Sequence, residues 1–352
     1  MWYHLHGTAE RKTSEEVRMR RTGIGFCLAV CVAAASIAAC VSPSAAETYT
    51  LKAISAWSKT AVEYKALTIF LDTFDRIAKQ RAPGELTIRY LGGPEVVKAV
   101  DQAEATKRGM VDMLYTSGAY YTNVLPEIDA LKLSAHTPAE ERASGAWAYL
   151  NDLHQKRLGL YYLGRIGLNT KFHLYLAKKP IKTADLRGLN IRISPLYLQA
   201  IRGLGGNPIS MPLSDVYTAL ERNVVDGYCM PSVGIRDYGV QKQTKYIVEP
   251  GFYTVPNPLL VNLNTWKKLP KKLQDVLTDA AKEAEIKVTA AFDQMAREER
   301  PLLLKEGLQV LTLPPSEAEK FLKIAYDEGW KDVIQKNPVT GPELKRLLSN
   351  SK

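Results

Sequence analysis

The chain has 352 residues, 46% hydrophobic and 24% charged, which suits a soluble globular protein of two domains, or one large one, and excludes a disordered or fibrous protein. The formal net charge of +10 raises a nucleic-acid reading. The densest basic groups, Lys267-Lys268 with Lys271-Lys272 and Arg297 with Arg300, lack the interleaved aromatics of a base-stacking surface, so no nucleic-acid partner is expected.

Residues 1–46 read as an export signal. Arg20-Arg21 precede an apolar run over 24–39, and Ser44-Ala45-Ala46 offers a cleavage site before Glu47. Residues 1–18 are polar and fit no signal, which makes Met19 the expected start of translation. Ile37-Ala38-Ala39-Cys40 also resembles a lipobox, so the folded part is expected in the periplasm, free or lipid-anchored through Cys40. The free form is preferred because the Ser-Ala-Ala site leads straight into the first strand. Cys27, Cys31 and Cys40 belong to this segment, and Cys229 alone remains, too few for an internal disulfide or a cysteine metal site.

Beyond the signal, short strands alternate with helices, the pattern of α/β domains. Strands are expected over 49–55, 86–91, 111–115 and 160–164, and helices over 61–81, 96–108 and 140–158. Leu189, Ile191 and Ile193 alternate around Arg192, a short buried strand in which an arginine is costly unless an anion meets it. A helix follows over 196–204, closed by Gly205-Gly206. Ser214 reads as the N-cap of a helix over 215–222. Strands over 224–226 and 259–263 precede a helix from Pro270 to about Arg300, roughly 45 Å long and expected to touch two domains.

Catalytic signatures are absent. There is no GxSxG or HExxH, and His136, His154 and His173 are well separated. Gly203-Leu204-Gly205-Gly206 follows a helix instead of opening one, so it reads as a helix stop. No catalytic residue, metal or cofactor is expected, and the protein does not read as an enzyme.

One stretch carries a resemblance. Asp185-Leu186-Arg187-Gly188-Leu189-Asn190-Ile191-Arg192 is followed by Leu204-Gly205-Gly206-Asn207-Pro208, Met211-Pro212, Ser214-Asp215-Val216-Tyr217-Thr218-Ala219-Leu220 and Val225-Asp226-Gly227. With Leu91-Gly92-Gly93 and Glu95, Gly109-Met110-Val111-Asp112-Met113 and Trp266-Lys267-Lys268-Leu269-Pro270, this order and spacing resembles the DctP-type solute-binding proteins of TRAP transporters. The resemblance implies a two-lobed periplasmic-binding-protein-like α/β fold with crossing strands and a long helix spanning both lobes. Lobe I would hold 47–169 plus about 256–295, and lobe II about 170–255 plus 296–352. The implied partners are a small organic acid and the transporter's membrane subunits. A receptor for another transporter class or a sensor, or an exported enzyme on the same scaffold, are the alternatives.

Arg192 would clamp the ligand's carboxylate through two parallel N–H···O bonds. Strand ends and the loops after them nominate Trp57, Thr116, Ser117, Tyr120, Tyr228, Met230, Phe252 and Tyr253 as cleft residues, with ordinary core packing open for each aromatic. Asn169 and Arg165 lie near the first lobe crossing, where Arg165 is either a second anion contact or a structural ion pair. The chain departs from the family at Tyr228-Cys229-Met230-Pro231, where many relatives carry glutamine-glutamate-asparagine-proline. It also reads Ser194-Pro195 where valine-proline commonly follows the arginine. Met230 in place of the asparagine points to a partly apolar acid, an aromatic or medium-chain monocarboxylate.

Overall fold

In the computed structural model, residues 47–166, 170–255 and 257–349 are described. The export signal, with Met19 and Cys40, lies outside the described residues, as does Asn169. Twelve strands follow one another: β1 (Tyr49–Ser55), β2 (Leu86–Gly92), β3 (Met113–Tyr115), β4 (Leu160–Arg165), β5 (Lys171–Leu176), β6 (Asn190–Ile193), β7 (Asn207–Ser210), β8 (Gly227–Pro231), β9 (Tyr246–Glu249), β10 (Phe252–Thr254), β11 (Pro258–Asn262) and β12 (Gln309–Thr312). They sort into two sheets. The first has the order β2-β1-β3-β11-β4, parallel across β2, β1 and β3 and antiparallel on both sides of β11. The second runs β12-β9-β5-β8-β6-β7, with β10 paired to β5. The chain crosses from the first sheet to the second after β4 and returns between β10 and β11.

The helices are α1 (Val62–Arg81), α2 (Gln102–Lys107), α3 (Pro138–Ala143), α4 (Ala146–Leu153), α5 (Leu198–Gly203), α6 (Val216–Glu221), α7 (Leu263–Lys268), α8 (Lys271–Lys305), α9 (Pro315–Lys336) and α10 (Gly341–Leu348). In α1, Ala66, Leu67, Phe70, Phe74 and Ile77 recur at helical spacing and are buried, and the helix packs against α8. Ion pairs Arg76–Glu283 and Arg81–Asp279 run along the exposed edge of that contact. Helix α8 continues through Pro301 instead of stopping near Arg300. Leu303 is buried in the apolar cluster of the second sheet and holds the last turn against the weak helix propensity of proline. Glu299 accepts from the Gly234 amide at 2.7 Å and Arg300 pairs with Glu249 at 2.6 Å, so the long helix serves both sheets. Helix α9 packs on α5 and on the 3₁₀ segment Pro126–Leu133, and α10 packs on α4.

Local readings of the sequence are corrected at four places. Residues 96–98 are not helical; a 3₁₀ turn at Ala99–Asp101 leads into α2 after the Gly93–Val96 turn. The expected 140–158 helix breaks at Gly145 (φ 86) into α3 and α4, because a left-handed residue cannot continue a helix. Residues 224–226 are not a strand, since the amides of Val224 and Val225 both close onto the Ala219 carbonyl after Asn223 (φ 56). Ser214 does not cap a helix; its hydroxyl donates to the Asp215 carboxylate at 3.0 Å.

Candidate functional site

The C-terminal ends of strands from both sheets converge on one cavity of about 540 Å³. That volume suits a small organic ligand. Arg192 lies in its wall near the end of β6. Strand alternation buries Ile191 and Ile193 on one face and turns Arg192 to the other. Its Nε and Nη2 donate to the carbonyl of Met211 at 3.1 and 2.9 Å, just beyond the neighbouring parallel strand β7. Among the described residues no carboxylate pairs with it and no acceptor takes the Nη1/Nη2 edge. A permanently charged, 5% exposed guanidinium therefore faces the cavity with one fork free.

The cavity brings together Arg192, Trp57, Ser117, Tyr120 and Met230. Trp57 follows β1, where the Ser55 hydroxyl donates to its carbonyl at 2.6 Å and its ring meets Tyr115 at 5.0 Å. A Cβ on Gly93 would stand 2.6 Å from that same carbonyl, so this approach requires glycine. Tyr120 closes a 3₁₀ turn whose start is capped by Ser117, which accepts from the Ala119 amide.

The other nominated residues that are described do not line the cavity. Thr116 is buried in strand pairing, its amide donating to Pro258 at 3.1 Å. Tyr228 lies two residues deeper than Met230, stacked on Tyr175 at 5.1 Å, its hydroxyl 2.7 Å from that of Thr244. Phe252 packs against Phe321 and Tyr253, and the Tyr253 hydroxyl donates to the Ala325 carbonyl at 2.6 Å. In each case neighbouring elements fill the space around the ring, so the core takes it. Arg165 is also a structural residue: it pairs with Glu141 at 2.8 Å, both fully buried, and donates to the His136 carbonyl. Cys229 is a buried core thiol whose pKa is pushed up by burial.

Residues that sequence reasoning missed also line the cavity, among them Glu63, Phe172, Ser194, Tyr197, Met211 and Asn257. The Ser194-Pro195 departure was a signal for one of them. Phe172 meets Tyr197 edge-on at 4.9 Å. Burial raises the Glu63 carboxyl from the usual 4.5 to about 7, with a further push from the Asp237 charge. Among the described residues, no group of His, Cys, Asp or Glu is arranged to hold a metal ion.

Residues 55–337 match the family described as bacterial extracellular solute-binding protein, family 7. The chain belongs to the DctP family. An uncharacterized protein of Haemophilus influenzae is 35% identical over 172 residues, 45% of this chain and 52% of that protein, so the match spans about half the relative's length. A monocarboxylate 2-oxoacid-binding periplasmic protein of Nostoc sp. is 27% identical over 291 residues, covering 77% of each chain. A TRAP periplasmic solute-binding protein from Desulfovibrio salexigens, solved with bound orotic acid, superposes with a TM-score of 0.73 at 20% identity, covering 86% of this chain and 97% of that one. The DctP fold is thus two-lobed α/β, and the cavity lies where both sheets contribute strand ends.

Proposed function

We propose that this DctP-family chain is the extracytoplasmic receptor of a TRAP transporter. It holds a small organic monocarboxylate in the cleft and delivers it to the membrane subunits. Each lobe is built on one sheet, 47–169 with about 256–295 and about 170–255 with 296–312, while α9 and α10 return to pack on Pro126–Leu133 and α4 of the first, and hinge bending closes the lobes on the ligand. The receptor works in the periplasm after removal of residues 1–46, and it binds its ligand without turning it over.

The observation that carries this reading is Arg192, buried at the cavity wall with a carbonyl as its protein partner. The free Nη1/Nη2 edge matches a carboxylate in a bidentate, charge-assisted pair. The remaining wall is largely apolar: Trp57, Phe172, Leu196, Met230 and Val255. That favours an aromatic or medium-chain acid over a polyhydroxy sugar acid. The 2-oxoacid specificity of the Nostoc relative and the orotate of the Desulfovibrio protein are in keeping with a single carboxylate.

A thermal-shift and calorimetric screen over organic acids tests it, since a ligand stabilises by mass action. Aromatic or medium-chain monocarboxylates should stabilise the wild type and fail to stabilise Arg192→Ala. Stabilisation by polyhydroxy sugar acids alone would overturn the ligand class.

A further inference from the structure

The cavity holds a second polar group that carboxylate capture leaves unused. Glu63 stands in the first turn of α1, directly after a strand of the first sheet, whereas Arg192 belongs to the second. Both line the cavity, yet they are not paired: Glu63 Oε2 is buried and has no hydrogen-bond partner. Among the described residues no Lys, Arg or His pairs with the Glu63 carboxylate. The titratable groups that face Glu63 are the Asp237 carboxyl and the phenols of Tyr115, Tyr120 and Tyr238. The turn carrying Gly234 and Asp237 is seated on the start of α1 so closely that a Cβ on Gly234 would come within 2.8 Å of the Val62 side chain. Glu63 is therefore held in place, half-buried, with its Oε2 out of contact with solvent.

A buried carboxylate oxygen without a donor is costly, and such a group at a cavity wall is explained when the ligand brings the missing donor. We propose that Glu63 is the second polar anchor of the cavity, accepting a hydrogen bond from a hydroxyl or N–H group on an acid whose carboxylate Arg192 holds. The site thereby selects donor-bearing monocarboxylates over plain ones, and over dicarboxylates, whose second charge would face Glu63. This deepens the monocarboxylate reading and rests on it. Accepting the ligand's donor favours the ionised carboxylate, so a carboxyl that titrates near 7 in the free protein gives up a proton on binding at neutral pH.

The test uses the full chain and matched probes: benzoate with 3-hydroxybenzoate, hexanoate with 6-hydroxyhexanoate, and adipate. Calorimetry compares wild type, Glu63→Gln, Glu63→Ala and Arg192→Ala at pH 6 and pH 8. In the wild type at pH 8, one hydroxylated acid should bind at least about tenfold tighter than its plain partner, the scale of a charge-assisted hydrogen bond. The preference should shrink at pH 6, and binding near pH 7 should release protons, measured from the buffer dependence of the heat. Glu63→Gln should keep a reduced preference that no longer varies with pH, and Glu63→Ala should lose it. At pH 8 both variants should melt no lower than wild type, since each removes a buried unpaired charge. Equal affinities within both pairs in the wild type, or the same ratio in Glu63→Ala, would overturn the proposal while leaving Arg192 in its role. Plain acids that bind Arg192→Ala as well as wild type, or no acid binding at all, would overturn the monocarboxylate reading and this proposal with it.

Discussion

Arg165 and Arg192 stand at or near the ends of strands in different sheets and are almost equally buried, 2% and 5% exposed. Their partners separate them. Arg165 meets the buried Glu141, which also accepts from Ser134 at 2.7 Å, and a second pair, Arg142–Glu285, lies beside it. Arg192 meets the Met211 carbonyl and then open cavity. Burial alone thus says little about the role of a charge. A buried charge already neutralised by the protein belongs to the scaffold, and one left with a free fork belongs to the site.

The largest expected effect follows from that difference. Arg192→Ala should weaken binding of a monocarboxylate by about a hundred- to several thousand-fold, the 3–5 kcal/mol of a buried pair that loses one member. Arg192→Lys should also bind poorly, since it keeps the charge and loses the fork. Calorimetry reads the affinity and thermal melting the stability, which should change little. A variant that binds normally but melts far lower would put Arg192 with Arg165 and break the contrast. The mirror experiment is Arg165→Met. It strands Glu141 in the core and should cost about 3–5 kcal/mol of stability, while the protein that remains folded binds within a few fold of wild type. Adding Glu141→Leu should recover much of the loss. If the double variant is no better than the single one in denaturant unfolding, the pair is not what the core depends on.

The contrast also marks what could be read from sequence. The motif around Arg192 carried the family, and strict alternation or helical spacing carried β1, β2, α1 and most of α8. Strand β5 was not legible because five of its six residues are buried, which erases the alternation. Helix α8 runs on past Pro301, near where the sequence reading stopped it, and α9 and α10 beyond it were not read. Within the site, Arg192, Trp57, Ser117, Tyr120 and Met230 were legible as strand-end residues. Tyr228, Phe252 and Tyr253 carry the same signal but are consumed by aromatic packing from elements distant in sequence. Glu63 was invisible because its environment is made by the turn at Gly234 and Asp237, which no local pattern places beside it.

Glu63 gives a smaller effect, visible in stability as well as binding. Its folded pKa, about 7, lies above the usual 4.5, so folding favours the protonated form. Its contribution is full below pH 4.5 and is lost as pH rises through 7. His154 runs the other way. Buried against Tyr121 and the Leu150 carbonyl, it is depressed from 6.5 to about 4, so its contribution is lost as pH falls from 6.5 toward 4. The two oppose each other between about pH 4.5 and 6.5, so neither alone sets the wild-type melting profile there. Glu63→Gln removes one side of the balance. Its melting temperature should exceed that of wild type by a few degrees at pH 8, with the gap closing toward pH 5. A gap that is the same at both pH values would mean that Glu63 does not titrate in the folded protein near neutrality.

The smallest effect tests the apolar part of the same wall. Met230 is 3% exposed at the end of β8 and lines the cavity beside Arg192. Met230→Asn exchanges a flexible apolar contact for an amide. Losing roughly 1 kcal/mol of apolar burial should weaken plain aromatic and aliphatic acids by about fivefold. Hydroxylated acids should lose less, because the amide can return a hydrogen bond. Arg192 is untouched, so Arg192→Ala should weaken binding by the same large factor in the Met230→Asn background. Competition binding with the matched acids measures the ratio directly. A uniform loss across plain and hydroxylated acids would mean that Met230 only fills space, and that ligand choice rests with the charged residues alone.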